Sequence, residues 1–176
     1  MPSFWMSYIK VADLDYTLQM VKETEGKIEL QEDMGSFGKI ALVRDPAGAG
    51  FTLYEGEQLK GRTASSPNTM IWNELFVSSF EKVKYFYLAI LDWKFEKVGD
   101  RNLIKDFENN TIGAVQEISN DVKGNLEYWA VYFGVNDLRK VKNQILRYQG
   151  YIAYEYKDEL MVFDPYDAMF MVKEVK

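Results

Sequence analysis

Apolar positions recur along the chain in one repeated order: strand, helix, then three strands. In the first copy, residues 4–11 are rich in aromatic and β-branched side chains and read as a strand. Leu14, Leu18 and Val21 then return at helical spacing, with Asp13 as N-cap and Gly26 as the stop. Strands are expected at 27–31, 39–44 and 50–54. In the last copy, 126–135 reads as a strand and Leu138, Val141, Ile145 and Tyr148 as a helical stripe. Strands at 151–156, 159–163 and 168–175 follow. The middle copy has a strand at 70–77, a stripe of Phe80, Val83, Tyr87 and Ile90, and strands at 93–98, 101–107 and 111–118. Glu108-Asn109-Asn110 makes its hairpin turn, since Asn tolerates positive φ.

The first and last copies match at fixed offsets. Asp13-Leu14 and Gly26 correspond to Asp137-Leu138 and Gly150, 124 positions on. Asp45-Pro46 and Leu53 correspond to Asp164-Pro165 and Val172, 119 positions on. The five-residue difference fits a shortened hairpin, with the loop at 34–38 reduced to Lys157-Asp158. The segment from Gly61 to Asn68 is small and polar, as a linker is. The expected organisation is therefore a module at 1–57, a linker at 58–67, and two modules at 68–176.

Composition narrows the chemistry. With 176 residues and 47% hydrophobic content the chain can build a core for one or two small domains. No apolar run approaches the roughly 18–20 residues of a membrane span, and Met1-Pro2-Ser3-Phe4-Trp5 lacks the pattern of a signal peptide. The net charge is −6 and the lysines are interleaved with acids, so neither nucleic acid nor membrane is an expected partner. There is no cysteine, which removes disulfides and thiolate catalysis and suits a cytoplasmic location. There is also no histidine, so the usual general base, the serine triads and the commonest transition-metal ligand are all absent. A bound metal would need oxygen ligands.

The repeated βαβββ unit resembles the module of the vicinal oxygen chelate superfamily, which contains the glyoxalases, bleomycin-resistance proteins and extradiol dioxygenases. The resemblance rests on several phrases in order over nearly the whole chain. Trp72-Asn73-Glu74-Leu75, Phe86-Tyr87 and Leu91-Asp92-Trp93 resemble the opening strand, the helix pair and the helix exit. The run from Trp129 to Val135 into Asn136-Asp137-Leu138 resembles the strand that feeds a "V-x-D-L" helix start. Asp45-Pro46-Ala47-Gly48-Ala49 and, more loosely, Asp164-Pro165-Tyr166-Asp167-Ala168 resemble the hairpin before the closing strand. The resemblance implies an α+β fold of three βαβββ modules, two of them paired into a cup-shaped mixed sheet with helices outside. That is one module fewer than a two-domain member has.

The resemblance also implies where metal ligands would sit. Trp72 and Ala130 fall at the opening-strand positions and Met171 at a closing-strand one, with Met6 and Thr52 at the matching places of the first module. An indole, a methyl and a thioether do not suit such a metal, so no metal and no cofactor is expected.

Strand alternation gives the inward set. It holds Trp72, Glu74 and Phe76, then Ala130, Tyr132 and Gly134, then Met169, Met171 and Lys173. Trp72, Glu74, Phe76, Tyr132 and Met171 are the expected ligand-binding residues, for a small aromatic or cationic molecule, with catalytic residues undefined. The alternatives are an enzyme of lyase or isomerase type working through carboxylates such as Glu74 and Glu117, and a partner-binding protein with a filled cup. The lone first module is expected to expose an inner face with Met6, Tyr8, Phe51, Leu53 or their neighbours, and so to form a homodimer through residues 1–57, the competing arrangement being that it docks on the outside of the 68–176 cup.

Overall fold

A computed structural model describes residues 3–59, 61 and 66–175. Residues 60 and 62–65 of the expected linker lie outside the described residues. The described residues form a mixed α+β structure in which every module has the expected order of elements.

The first module holds β1 (Tyr8–Lys10), α1 (Leu14–Glu23), β2 (Lys27–Asp33), β3 (Lys39–Arg44) and β4 (Gly50–Glu55), with a 3-10 turn at Gly35–Phe37. The middle module holds β5 (Met70–Val77), α2 (Glu81–Leu91), β6 (Lys94–Val98), β7 (Arg101–Lys105) and β8 (Thr111–Glu117). After a short helix α3 (Asn120–Lys123), the last module holds β9 (Tyr128–Val135), α4 (Leu138–Arg147), β10 (Tyr151–Tyr156), β11 (Glu159–Phe163) and β12 (Met169–Glu174).

The local devices that make one module make another. Asp13 and Asp137 each accept a hydrogen bond from the backbone N–H three residues on, at Tyr16 and Lys140, which caps α1 and α4. At the far end Gly26 N–H donates to the Val21 carbonyl and Gly150 N–H to that of Ile145, both at the hairpin-side exit of the helix. In the turn before the closing strand, Asp45 Oδ1 accepts from the N–H groups of Ala47, Gly48 and Ala49. Asp164 Oδ1 accepts from those of Tyr166 and Ala168.

The chain divides into two compact bodies that cut across the modules. The larger is Met6–Lys60 with Glu74–Trp129, and the smaller is Met1–Trp5, Gly61–Asn73 and Ala130–Lys176. In the larger body the first module forms a sheet ordered β1-β4-β3-β2. Its helix-side residues Ala41, Val43, Phe51 and Leu53 join Leu14, Leu18 and Val21 of α1 in one core. Val83, Phe86, Tyr87 and Ile90 of α2 belong to the same core. Phe51 and Leu53 therefore face the helices and not the open side of the sheet expected for them. Alternation leaves Thr52 and Tyr54 opposite. At the centre of this core Tyr87 is fully buried; its hydroxyl donates to Asp45 Oδ2 at 2.9 Å and accepts from Trp129 Nε1 at 3.0 Å.

In the smaller body β10, β11, β12 and β9 are successive neighbours. Val135, Leu160, Val162 and Val172 pack under Leu138, Val141 and Ile145 of α4. Trp5 lies edge-on to Phe133 and Phe170, and β1 is correspondingly shorter than the strand expected at 4–11. The helix α3 has no counterpart among the expected elements. It is held by Lys123, whose side chain is fully buried; its ammonium donates to Asn120 Oδ1 and to the carbonyls of Gly124 and Leu126, and it lies 3.0 Å from Glu127.

Candidate functional site

The sheet face opposite α4 carries rows of aromatic and methionine side chains. Strand register sets Tyr154, Met161, Met171 and Tyr132 side by side across β10, β11, β12 and β9. The next row is Tyr156, Glu159, Lys173 and Gly134. Leu160, Val162 and Val172 occupy the helix-side core, so these rows face the other way. An irregularity in β10 between Ile152 and Tyr154 keeps Tyr151, Tyr154 and Tyr156 on one face, since their partners Phe163, Met161 and Glu159 alternate regularly. Tyr151 stacks on Phe163 at 4.8 Å between ring centroids, and Lys173 donates to Glu159 at 2.6 Å.

Tyr132, Met161 and Met171 are buried, whereas the three β10 tyrosines are half-exposed. Tyr132 and Met171 are thus adjacent. Met161, Tyr154 and Tyr156 complete their rows, and sequence reasoning missed them. The offset of 124 could have found Tyr154, because it sets that residue on Leu30, but the bulge hides which face each takes. Trp72 also belongs to the smaller body, half-buried on the first part of β5.

Glu74 and Phe76 lie in the larger body. Register sets Glu74 beside Ala114 and Leu103, and Phe76 beside Gln116 and Arg101. Glu74 is fully buried, and Arg101 Nε donates to its Oε1 at 2.7 Å from a side chain one-third exposed. A carboxylate out of water keeps its charge only with such a partner, so Glu74 does not present an uncompensated negative charge. Phe76 packs edge-on to Tyr128 at 5.6 Å. Burial, with the nearby Glu127 carboxylate, pushes the Tyr128 phenol up to about 12.

The other candidate carboxylate has a structural task. Glu117, at the end of β8, accepts the backbone N–H of Phe80 at 2.9 Å, at the start of α2. Glu55, at the end of β4, accepts the N–H of Leu14 at 2.7 Å, and Glu174, at the end of β12, that of Leu138 at 3.3 Å. In all three modules the closing strand ends in a glutamate that satisfies an N–H at the helix start, where orphan donors and the helix dipole favour an anion. Glu117 also borders an open cleft of about 350 Å³ with Phe80, Lys84, Phe95, Lys97 and Asn102. Among the described residues no three His, Cys, Asp or Glu side chains converge as a metal would need. Trp72, Ala130 and Met171, the residues that the resemblance sets at ligand positions, carry an indole, a methyl and a thioether, which do not suit a metal bound by oxygen ligands.

Three modules of one βαβββ design, joined in series, define a class of fold: the chain has the fold of the glyoxalases and extradiol dioxygenases, and its sequence is similar to that of glyoxalase-like relatives. No family model matches the sequence. A Mycobacterium tuberculosis protein with the provisional name glyoxylase CFP32 is 27% identical over 143 residues, 78% of this chain and 54% of its own length. The anthracycline biosynthesis protein DnrV of Streptomyces peucetius is 25% identical over the whole of this chain and 67% of its own. The chain thus spans about half to two thirds of the curated relatives it matches.

Among solved structures, a glyoxalase I variant from Zea mays superimposes with a TM-score of 0.62 at 12% identity, covering 98% of this chain and 68% of that one. A Mn(II)-bound glyoxalase from Novosphingobium aromaticivorans gives 0.61 at 9% identity, over 95% and 61%. A catechol 2,3-dioxygenase gives 0.55 at 14%, over 96% and 68%. These likenesses concern the fold. Among the described residues no helix is long and apolar enough to cross a membrane.

Proposed function

We propose that this protein binds a small aromatic molecule without a metal, on the β9–β12 face of its smaller body. The observation that carries the reading is the pair of rows built from Tyr132, Met171, Met161, Tyr154 and Tyr156, ending in half-exposed tyrosines at the β10 edge. Tyrosine offers a flat apolar face with a polar tip, and methionine adapts to irregular shapes. The Glu159–Lys173 pair at one end of the face gives a polar ligand group something to orient against. Glu74, held by Arg101, does not support selection of a cation, which narrows the aromatic-or-cationic expectation to its aromatic half. The relative named for anthracycline biosynthesis is in keeping with an aromatic ligand.

One observation favours a second reading, a filled face that serves packing alone. Tyr132, Met161 and Met171 are already buried. Native mass spectrometry of the purified protein, followed by titration with anthraquinone-type probes against wild type and Tyr154→Ala, separates the two. Ligand binding predicts saturable quenching, weakened up to about tenfold by the substitution, since an aromatic contact contributes ~0.5–1.5 kcal/mol. If no probe binds saturably and no small molecule is carried, the packing reading stands.

A further inference from the structure

We propose that the cleft on the helix side of the middle module binds a small zwitterion, an α-amino acid with an apolar side chain. The site is separate from the β9–β12 face and does not depend on the ligand reading made there.

The first observation is a buried amide with nothing to hold. Asn102 of β7 is 6% exposed, and among the described residues its carboxamide makes no hydrogen bond. Alternation sets it on the face of Ile104, and register sets it beside Val115; both belong to the core under α2. Its side chain therefore points to the helix side, away from the face of Leu103, Ala114 and Glu74. Among the described residues no side-chain nitrogen or oxygen is sealed from solvent without a partner. The amide thus opens into the cleft of about 350 Å³ that Asn102 lines. Buried polar groups are nearly always paired, because leaving one unpaired is costly.

The second observation is what the other two modules put at the same place. The strand-end glutamates align the three. Two residues before Glu55, Glu117 and Glu174 stand Leu53, Val115 and Val172, whose register partners are Ala41, Asn102 and Leu160. Ala41 and Leu160 are buried apolar residues. One strand further out come Gln31, Lys97 and Glu155. On the helices, four residues past Leu14, Phe80 and Leu138, stand Leu18, Lys84 and Lys142. In the first module Leu18 is buried in the core and Gln31 donates to Asp15 of α1. In the last, Lys142 and Glu155 form an ion pair from helix to sheet. In the middle module both places hold lysines, which cannot pair, and the strand between carries the amide. A place that is filled or tied across in two copies is left open in the middle one.

The ligand follows from the lining. Among the described residues the Lys97 ammonium has neither an ion pair nor a hydrogen bond. Lys84 lies 3.6 Å from Glu81 and 5.7 Å from the centroid of the Phe80 ring. Glu117 gives one oxygen to Phe80 N–H, and among the described residues its other oxygen has no partner. Two lysines and two glutamates leave the lining without net charge, which suits a ligand of both signs better than a simple ion. An α-amino acid meets every group. Its carboxylate is taken by Lys97 and the Asn102 amide, its ammonium by Glu117, and its side chain by Phe80 and Phe95, whose rings meet edge-on at 5.0 Å.

The test uses the full chain. Calorimetric titration with L-phenylalanine should show one saturable site. Phenylpropanoate lacks the ammonium and phenethylamine lacks the carboxylate; each should bind at least about tenfold more weakly. Asn102→Leu, which installs the residue of the last module, should abolish binding while the urea midpoint falls no lower than that of wild type. Lys97→Gln, at an exposed site, should weaken binding about tenfold. Tyr154→Ala should leave it unchanged, so a failure here and a failure of the β9–β12 reading are told apart. Absence of saturable L-phenylalanine binding at millimolar concentration overturns the proposal. So does equal binding of either truncated probe, and so does binding that survives Asn102→Leu.

Discussion

Replacing Tyr87 by Phe tests the account of the larger body most directly. The substitution keeps the ring, which stacks on Trp93 at 5.6 Å and meets Trp129 edge-on at 5.8 Å. It removes one oxygen, and with it the donor to Asp45 Oδ2 and the acceptor for Trp129 Nε1. Both groups are buried. A buried polar group left without a partner costs ~1–3 kcal/mol, and more if charged, so the expected loss is about 3 kcal/mol. With a urea dependence of ~2 kcal/mol per molar, the unfolding midpoint falls by about 1.5 M. Tryptophan fluorescence follows the transition, because Trp93 and Trp129 flank the site.

The pH dependence sharpens this test. Burial raises the Asp45 carboxyl above its ordinary value, although Tyr87 and the three turn N–H groups oppose the shift. The stability tied to a raised carboxyl is fully present below its unfolded value, about 3.9, and is lost as pH rises through the folded one. Without Tyr87 the folded value rises further. The deficit of Tyr87→Phe is therefore largest near neutrality and shrinks as pH falls toward 4. A loss below about 1 kcal/mol, or a deficit that grows on acidification, would refute the reasoning.

Other substitutions separate structural from recognition roles. Lys123→Met should destabilise by about 3–5 kcal/mol, because it leaves Glu127 and three oxygen acceptors without their cation; limited proteolysis should then cut first within 119–127. Arg101→Leu should cost about 2 kcal/mol, less than a fully buried pair because the guanidinium is partly solvated, and adding Glu74→Gln should recover part of it in urea melts. Spectrophotometric titration at pH 11 should leave at least two of the twelve tyrosines protonated. These are Tyr128, at about 12, and Tyr87, raised well above its ordinary value first by burial and then by the Asp45 charge.

The fold was legible because its signals are local and repeated. Asp13 and Asp137, Gly26 and Gly150, and Asp45 and Asp164 each mark a turn or cap whose geometry depends on near neighbours. The inward alternation of β12 was legible for the same reason, since Phe170 and Val172 pack with Val135 against α4. The first module's open face was not. Phe51 and Leu53 looked like its apolar lining, yet they face α1 and α2. Alternation fixes which residues share a face but not which face meets the helices. Nor could composition assign the carboxylates. Glu74 differs from an available pocket acid through its burial and through Arg101, twenty-seven positions away, and Glu117 through the N–H of Phe80.

The three strand-end glutamates have a consequence for how such a chain changes over time. Glu55, Glu117 and Glu174 each tie the last strand of a module to the start of that module's own helix. Each repeat is buckled to itself before it meets a neighbour, much as a bead is finished before it is strung. A copy gained or dropped at a gene's repeat boundaries carries its own helix start with it. What such an event disturbs is the core that neighbouring copies share, as α1 and α2 share one here. Selection on such proteins should therefore fall on the residues of that shared core sooner than on the strand-end glutamates.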